Sequence, residues 1–173
     1  IGGVSEPAGT ARLARAKLAL ARVTTSAELA PVADTLAALR GANGARMEAI
    51  PLYQAATQIR AATDSAALAA PGADMAVFLA AESARDALHS DRLAATLFRR
   101  LLDGWPTSPY APKALLALHQ IRPGEVPDLA GELAARFPDS PYYAALRGDS
   151  DPRLRVLEDS LRNYALSRPV QPL

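Results

Sequence analysis

A chain of 173 residues with a formal net charge of +1 is one domain's worth of sequence, and offers no global electrostatic case for nucleic acid or an acidic surface. Alanine fills 39 positions, glycine 10, and aromatic residues make up only 5%, a balance that favours helices and disfavours a sheet protein. There is no cysteine, which excludes disulfides, thiolate catalysis and cysteine-ligated zinc or iron–sulfur centres.

The charge is uneven. Residues 1–63 carry 7 basic and 4 acidic groups, residues 64–151 carry 8 and 12, and the remainder carries 4 and 2. Arg outnumbers Lys 17 to 2, a composition expected of a GC-rich bacterial genome. The sequence starts at Ile1, so a processed or trimmed piece is expected. No uninterrupted apolar run approaches the roughly 20 residues that a membrane-spanning helix needs.

In chain order, residues 1–9 read as frayed, and a helix is expected from Gly9 to Val23 with Leu13, Ala16, Leu20 and Val23 at three-to-four spacing. Its Arg12, Arg15, Lys17 and Arg22 read first as a solvated face, and otherwise as a stripe that meets an anionic partner or headgroups. Ser26 is placed to cap a second helix whose seam is Leu29, Val32, Leu36 and Leu39, ended by the turn Gly41–Gly44. A third helix, 45–62, carries Pro51, which predicts a kink or a restart. Residues 66–72 read as a weak turn. Helices are then expected over 73–89, 91–102, 109–121, 127–137, 141–146 and from Asp151-Pro152 onward, with 169–173 a loose tail. Residues 1–72 form one set of helical hairpins and residues 73–168 a more regular set.

Two stretches thirty-two residues apart organise the regular part: Trp105-Pro106-Thr107-Ser108-Pro109-Tyr110 and Phe137-Pro138-Asp139-Ser140-Pro141-Tyr142. The first proline pushes the residue before it out of the α region, so a helix ends at the aromatic. The serine then caps the next helix, with the second proline at its first position, where a missing N–H costs nothing. Trp105 and Phe137 read as wedges between repeats, with an exposed interface anchor as the alternative for Trp105.

Catalytic constellations do not emerge. His89 and His119 sit near helix ends and read as structural rather than catalytic. Asp86 and His89 share a helix face, but a carboxylate–imidazole pair without a nucleophile is no site. Glu125, Asp128 and Glu132 form an acidic stripe that reads as solvent-facing. Neither a cofactor nor a metal is expected.

The paired helices and aromatic-proline joints resemble the tetratricopeptide repeat. With Pro106 on that family's late proline, residues 75–108 form one unit, with Phe78 at the early aromatic, Ala94 at the small position and Phe98 at the second aromatic. With Pro138 there, Tyr110 and Ala114 take the corresponding places, while Ala130 replaces the second aromatic and the inner loop is two residues short. Glu82 stands where the family has its first-helix glycine. The form Pro-x-Ser-Pro-Tyr-Ala is similar to repeats of bacterial envelope families: the outer-membrane-protein assembly lipoproteins, the Tol–Pal periplasmic repeat proteins and the helical domains of soluble lytic transglycosylases.

The resemblance implies an all-α chain of antiparallel hairpins stacked as a short right-handed solenoid. Its concave wall would carry Leu79, Ser83 and Asp86 from one unit and Ala111, Leu115 and His119 from the next. The implied function is non-enzymatic: a scaffold of the periplasm or outer membrane that binds a peptide or partner helix, and no nucleic acid. Two alternatives follow from the same resemblance: a transglycosylase superhelix without its catalytic domain, or an accessory subunit of a large membrane complex.

Overall fold

Helix-favouring composition and proline punctuation give an all-helical chain. In a computed structural model, residues 6–41 and 44–167 are described; among them there are ten α-helices, two 3-10 turns and no strand. The expectations for residues 1–5, for Ala42 and Asn43 in the first turn, and for the tail 169–173 lie outside the described residues.

The N-terminal part holds α1 (Glu6–Leu20), α2 (Leu29–Leu39), α3 (Arg46–Ala62) and the single turn α4 (Ser65–Leu68). Leu13, Ala16, Leu20 and Val23 are buried, as their spacing predicts, and so is the whole α2 seam. Ser26 does not cap α2. Residues Ser26–Glu28 form a 3-10 turn instead, and Glu28 reaches back to accept from the Thr24 N–H (3.0 Å) and from the hydroxyls of Thr24 and Thr25. A carboxylate satisfies three donors here where a serine would satisfy one. Nor does α3 restart at Pro51. It runs through that residue, which falls early in the helix on an exposed side.

The regular part holds α5 (Ala73–Asp86), α6 (Asp91–Gly104), α7 (Ala111–Ile121), α8 (Leu129–Arg136), α9 (Pro141–Leu146) and α10 (Pro152–Ser167). Each of α5 to α9 packs on the next along the chain, and α3 packs on α5, so the two parts meet directly. One apolar cluster runs from Leu13 to Leu161 across residue 72. The centre is α6, which buries Leu93, Ala94, Ala95, Leu97, Phe98, Leu101 and Leu102 between α5 and α7. Ala81, Ala84, Ala94 and Ala95 are at most 1% exposed, so α5 and α6 approach closely over methyl groups.

Both joints end a helix at the aromatic, in matching conformations. Trp105 has φ −136° and ψ 63°, Phe137 has φ −139° and ψ 51°, and each N–H closes the preceding helix on the carbonyl four residues back. Arg122, before Pro123, repeats the geometry with φ −141° and ψ 65°. Restarts differ. Ser140 caps α9 by accepting from the Tyr142 N–H at 3.2 Å, with Pro141 at the first helical position. At the first joint Ser108 accepts from the Tyr110 N–H at 3.2 Å, but Pro109 lies in a turn and α7 begins at Ala111. The Ser108 carbonyl takes the Ala111 N–H, which closes that turn before the helical register begins. Helix α5 stops at Asp86, three residues short of the expected end. His89 sits at φ 50°, and the Ser90 N–H closes on the Ala84 carbonyl at 2.8 Å.

Candidate functional site: a helix held across alpha5, alpha7 and alpha9

Tyr110 anchors the middle of this surface. Its ring lies 6.1 Å from Phe78, which lies 5.7 Å from Phe98, so the resemblance's early and second aromatics form one buried cluster across three helices. Beside it Ser108 donates to the Asp74 carboxylate at 2.6 Å, tying the start of α7 to the start of α5 over 34 residues. The two joints come together. Ser108, Pro109, Phe137, Pro138 and Ser140 line one depression of about 310 Å³, with Leu157 of α10 at its edge.

Helix α10 does not simply cap α9. It also packs on α5, buries Leu161, and reaches α7 through side chains. Lys113 of α7 donates to Glu158 Oε2 at 2.7 Å, and the Tyr142 hydroxyl of α9 donates to Glu158 Oε1 at 2.8 Å. The Lys113 ammonium also sits 5.4 Å above the Phe78 ring, a cation–π contact that orients it. A single carboxylate of α10 is thus gripped from two helices, and the third, α5, presents Glu82 to the same cluster.

The electrostatics follow from burial and neighbours. Burial pushes the Tyr142 phenol well above the ordinary range, and the hydrogen bond to Glu158 pushes the same way, so Tyr142 stays a donor. Burial would raise Glu158, but hydrogen bonds from Lys113 and Tyr142 outweigh it and hold its carboxyl below the usual value. Glu82 goes the other way. Its burial raises it more than Lys113 and Arg85 lower it, and Asp86 and Glu158 add to the rise. Chemically the arrangement holds a carboxylate between an ammonium and a phenol, and what it does is dock a helix.

The residues expected on the wall divide into three groups. Ala111 and Leu115 are 0% and 2% exposed and belong to the core, which leaves them no surface for a partner; α7 is covered on that side by its neighbours. Leu79 and Ser83 are half-buried. Asp86 is exposed but paired with Arg85 at 2.7 Å, which holds its carboxyl low against a smaller opposing effect of burial. His119 donates Nδ1–H to the Val126 carbonyl at 2.8 Å, bracing the α7–α8 connection. The acidic stripe is spent on structure as well: Glu125 pairs with Arg99, Asp128 caps α8 through the Gly131 N–H, and Glu132 faces Arg136.

Of the expected joint residues, Trp105 and Phe137 are half-buried and packed on the core as wedges, Tyr110 and Tyr142 are buried, and Pro106 and Pro138 are exposed at the corners. Sequence reasoning noted Glu82 without giving it a role, and passed over Lys113 and Glu158. Two signals for them were there: Glu82 replaces the resemblance's glycine, and Lys113 is one of two lysines in a chain that otherwise uses arginine. No family model, curated protein or solved structure matches this chain.

Proposed function

We propose that this chain is a non-enzymatic helical-repeat scaffold, its hairpins stacked in tetratricopeptide fashion as a short right-handed solenoid, whose α5–α7–α9 wall grips a helix. The observation that carries this reading is that α10 already lies there, fixed by Glu158 between Lys113 and Tyr142. A surface that holds one amphipathic helix through a charged clamp and a buried leucine has the chemistry to hold another. Placement in the bacterial envelope rests on the Pro-x-Ser-Pro-Tyr joints alone, the first of which continues into Ala111. No described helix is long and apolar enough to cross a membrane.

The test uses α10 as its own probe. In the full chain, Glu158→Lys with Leu161→Asp places like charges against Lys113 and a charge in the pocket of Leu161, which releases α10. A labelled peptide of residues 152–167 then binds that variant with micromolar affinity. It does not bind the parent, whose tethered α10 competes at a millimolar effective concentration. A variant that keeps its helical circular dichroism yet takes up no peptide contradicts the proposal.

A further inference from the structure

Helix α1 has a second face. Leu13, Ala16 and Leu20 turn to the core, while Arg12, Arg15 and Ala19 recur at three-to-four spacing on an adjoining side, with Arg22 in the turn just beyond. Between that side and α2 runs a groove. Its larger part, about 610 Å³, has Ala16, Ala19, Pro31 and Val32 as its apolar surface, with Arg12 and Arg15 at the rim. It continues into a depression of about 480 Å³ that reaches Leu18, which is 64% exposed, and Arg22. Among the described residues none of these three arginines has an ion pair, whereas Lys17, on another side of α1, is paired with Glu48. Glu28 lines the far end, and its carboxylate is occupied by Thr24 and Thr25.

We infer that this groove docks an acidic amphipathic helix of a partner protein, its apolar edge against Ala19, Val32 and Leu18 and its carboxylates on Arg12, Arg15 and Arg22. Arg12 and Arg15 lie about one turn apart on α1, and Arg22 follows in the turn just past its end. A helix with apolar residues at i, i+3, i+4 and i+7 and acids beside them meets both the floor and the rim. A single cation would suit any anion, but three cations in register over an apolar channel select an anion that is also amphipathic. An anionic bilayer fits less well, because Val32 is 7% exposed and lies in the floor, out of reach of a flat surface. The proposal is independent of the α5–α7–α9 wall, which uses other helices.

The experiment titrates the full chain with a fluorescent amphipathic peptide of about four turns, with leucines on one edge and glutamates flanking them. A version with every glutamate replaced by glutamine, and vesicles of phosphatidylglycerol with phosphatidylcholine, are run beside it. The acidic peptide binds saturably with micromolar affinity, and the glutamine version binds about tenfold more weakly. Arg12→Glu with Arg15→Glu weakens the acidic peptide at least as much, at an unchanged melting temperature. Ala38→Trp, at an exposed position lining the groove, blocks binding without altering charge. Raised salt weakens the complex, because the rim is exposed. The proposal is overturned by absence of saturable binding, by equal binding of the glutamine peptide, by vesicles that retain the chain while the peptide stays free, or by a parent dimer that Arg15→Glu dissociates. Competition by the 152–167 peptide would also overturn it, since that would place both helices on one surface.

Discussion

His89 is the described non-glycine residue held at positive φ, and its 50° is the conformation that terminates α5. A side chain there costs about 1 kcal/mol relative to glycine, because Cβ crowds the following carbonyl. His89→Gly therefore raises the melting temperature by a few degrees, which differential scanning calorimetry reads directly. Glu82 and Glu158 make a second pair of residue-scale predictions with opposite signs. The stability that Glu82 contributes is complete below its ordinary value and is lost as pH rises through its raised one. At neutral pH, Glu82→Gln stabilises the fold. The stability from Glu158 is present above its ordinary value and is lost as pH falls through its lowered one, so Glu158→Gln destabilises at neutral pH. The Glu82 difference closes as pH falls below the ordinary glutamate value, whereas the Glu158 difference closes only once pH has fallen through its lowered one. Chemical denaturation at neutral and acid pH checks both signs. Histidine at a helix end was legible in the sequence, but its backbone angle was not: that is set by how the chain leaves α5 to bury Ser90.

At the scale of elements, the joints are where sequence and structure agree best, for a local reason. A proline forbids the α conformation to the residue before it whatever the tertiary context, so the ends of α6 and α8 could be read from Trp105-Pro106 and Phe137-Pro138 alone. Restarts were less legible, because a serine followed by a proline can cap a helix or close a turn. Ser140 does the first. Ser108 does the second, and also donates to Asp74 in α5. Ser108→Ala thus loses an acceptor and a long-range bond, about 1–2 kcal/mol, whereas Ser140→Ala loses a local cap, about 0.5–1 kcal/mol. Urea denaturation of the two variants orders them, and in Asp74→Ala the Ser108 substitution shrinks to the cost of its local hydrogen bond. The capping of α2 was misread because Ser26 opens a 3-10 turn of its own, and Glu28, at the N-cap of α2, turns its carboxylate back to Thr24 and Thr25 rather than onto the helix.

For the whole molecule, the all-helical class followed from composition and spacing, whereas the single apolar cluster that runs through both parts was not read from the sequence. Nor was what holds the ends in place. Lys17–Glu48, Arg99–Glu125 and Lys113–Glu158 join residues 31, 26 and 45 apart, and pairing at such separations leaves no periodic trace. Hence Ala111 and Leu115, expected on the concave wall, lie in the core, and α10 is held through Glu158 by Lys113 and Tyr142. The scarcity of lysine makes that arrangement easy to test. A zero-length carbodiimide joins an amine to a carboxylate only when the two are in contact, and Lys17 and Lys113 are the only lysines. Mass spectrometry of the cross-linked parent chain is expected to find Lys17 joined to Glu48 and Lys113 joined to Glu158. A chain in which Lys17–Glu48 forms, but Lys113 is never joined to Glu158, would contradict a helix held across α5, α7 and α9.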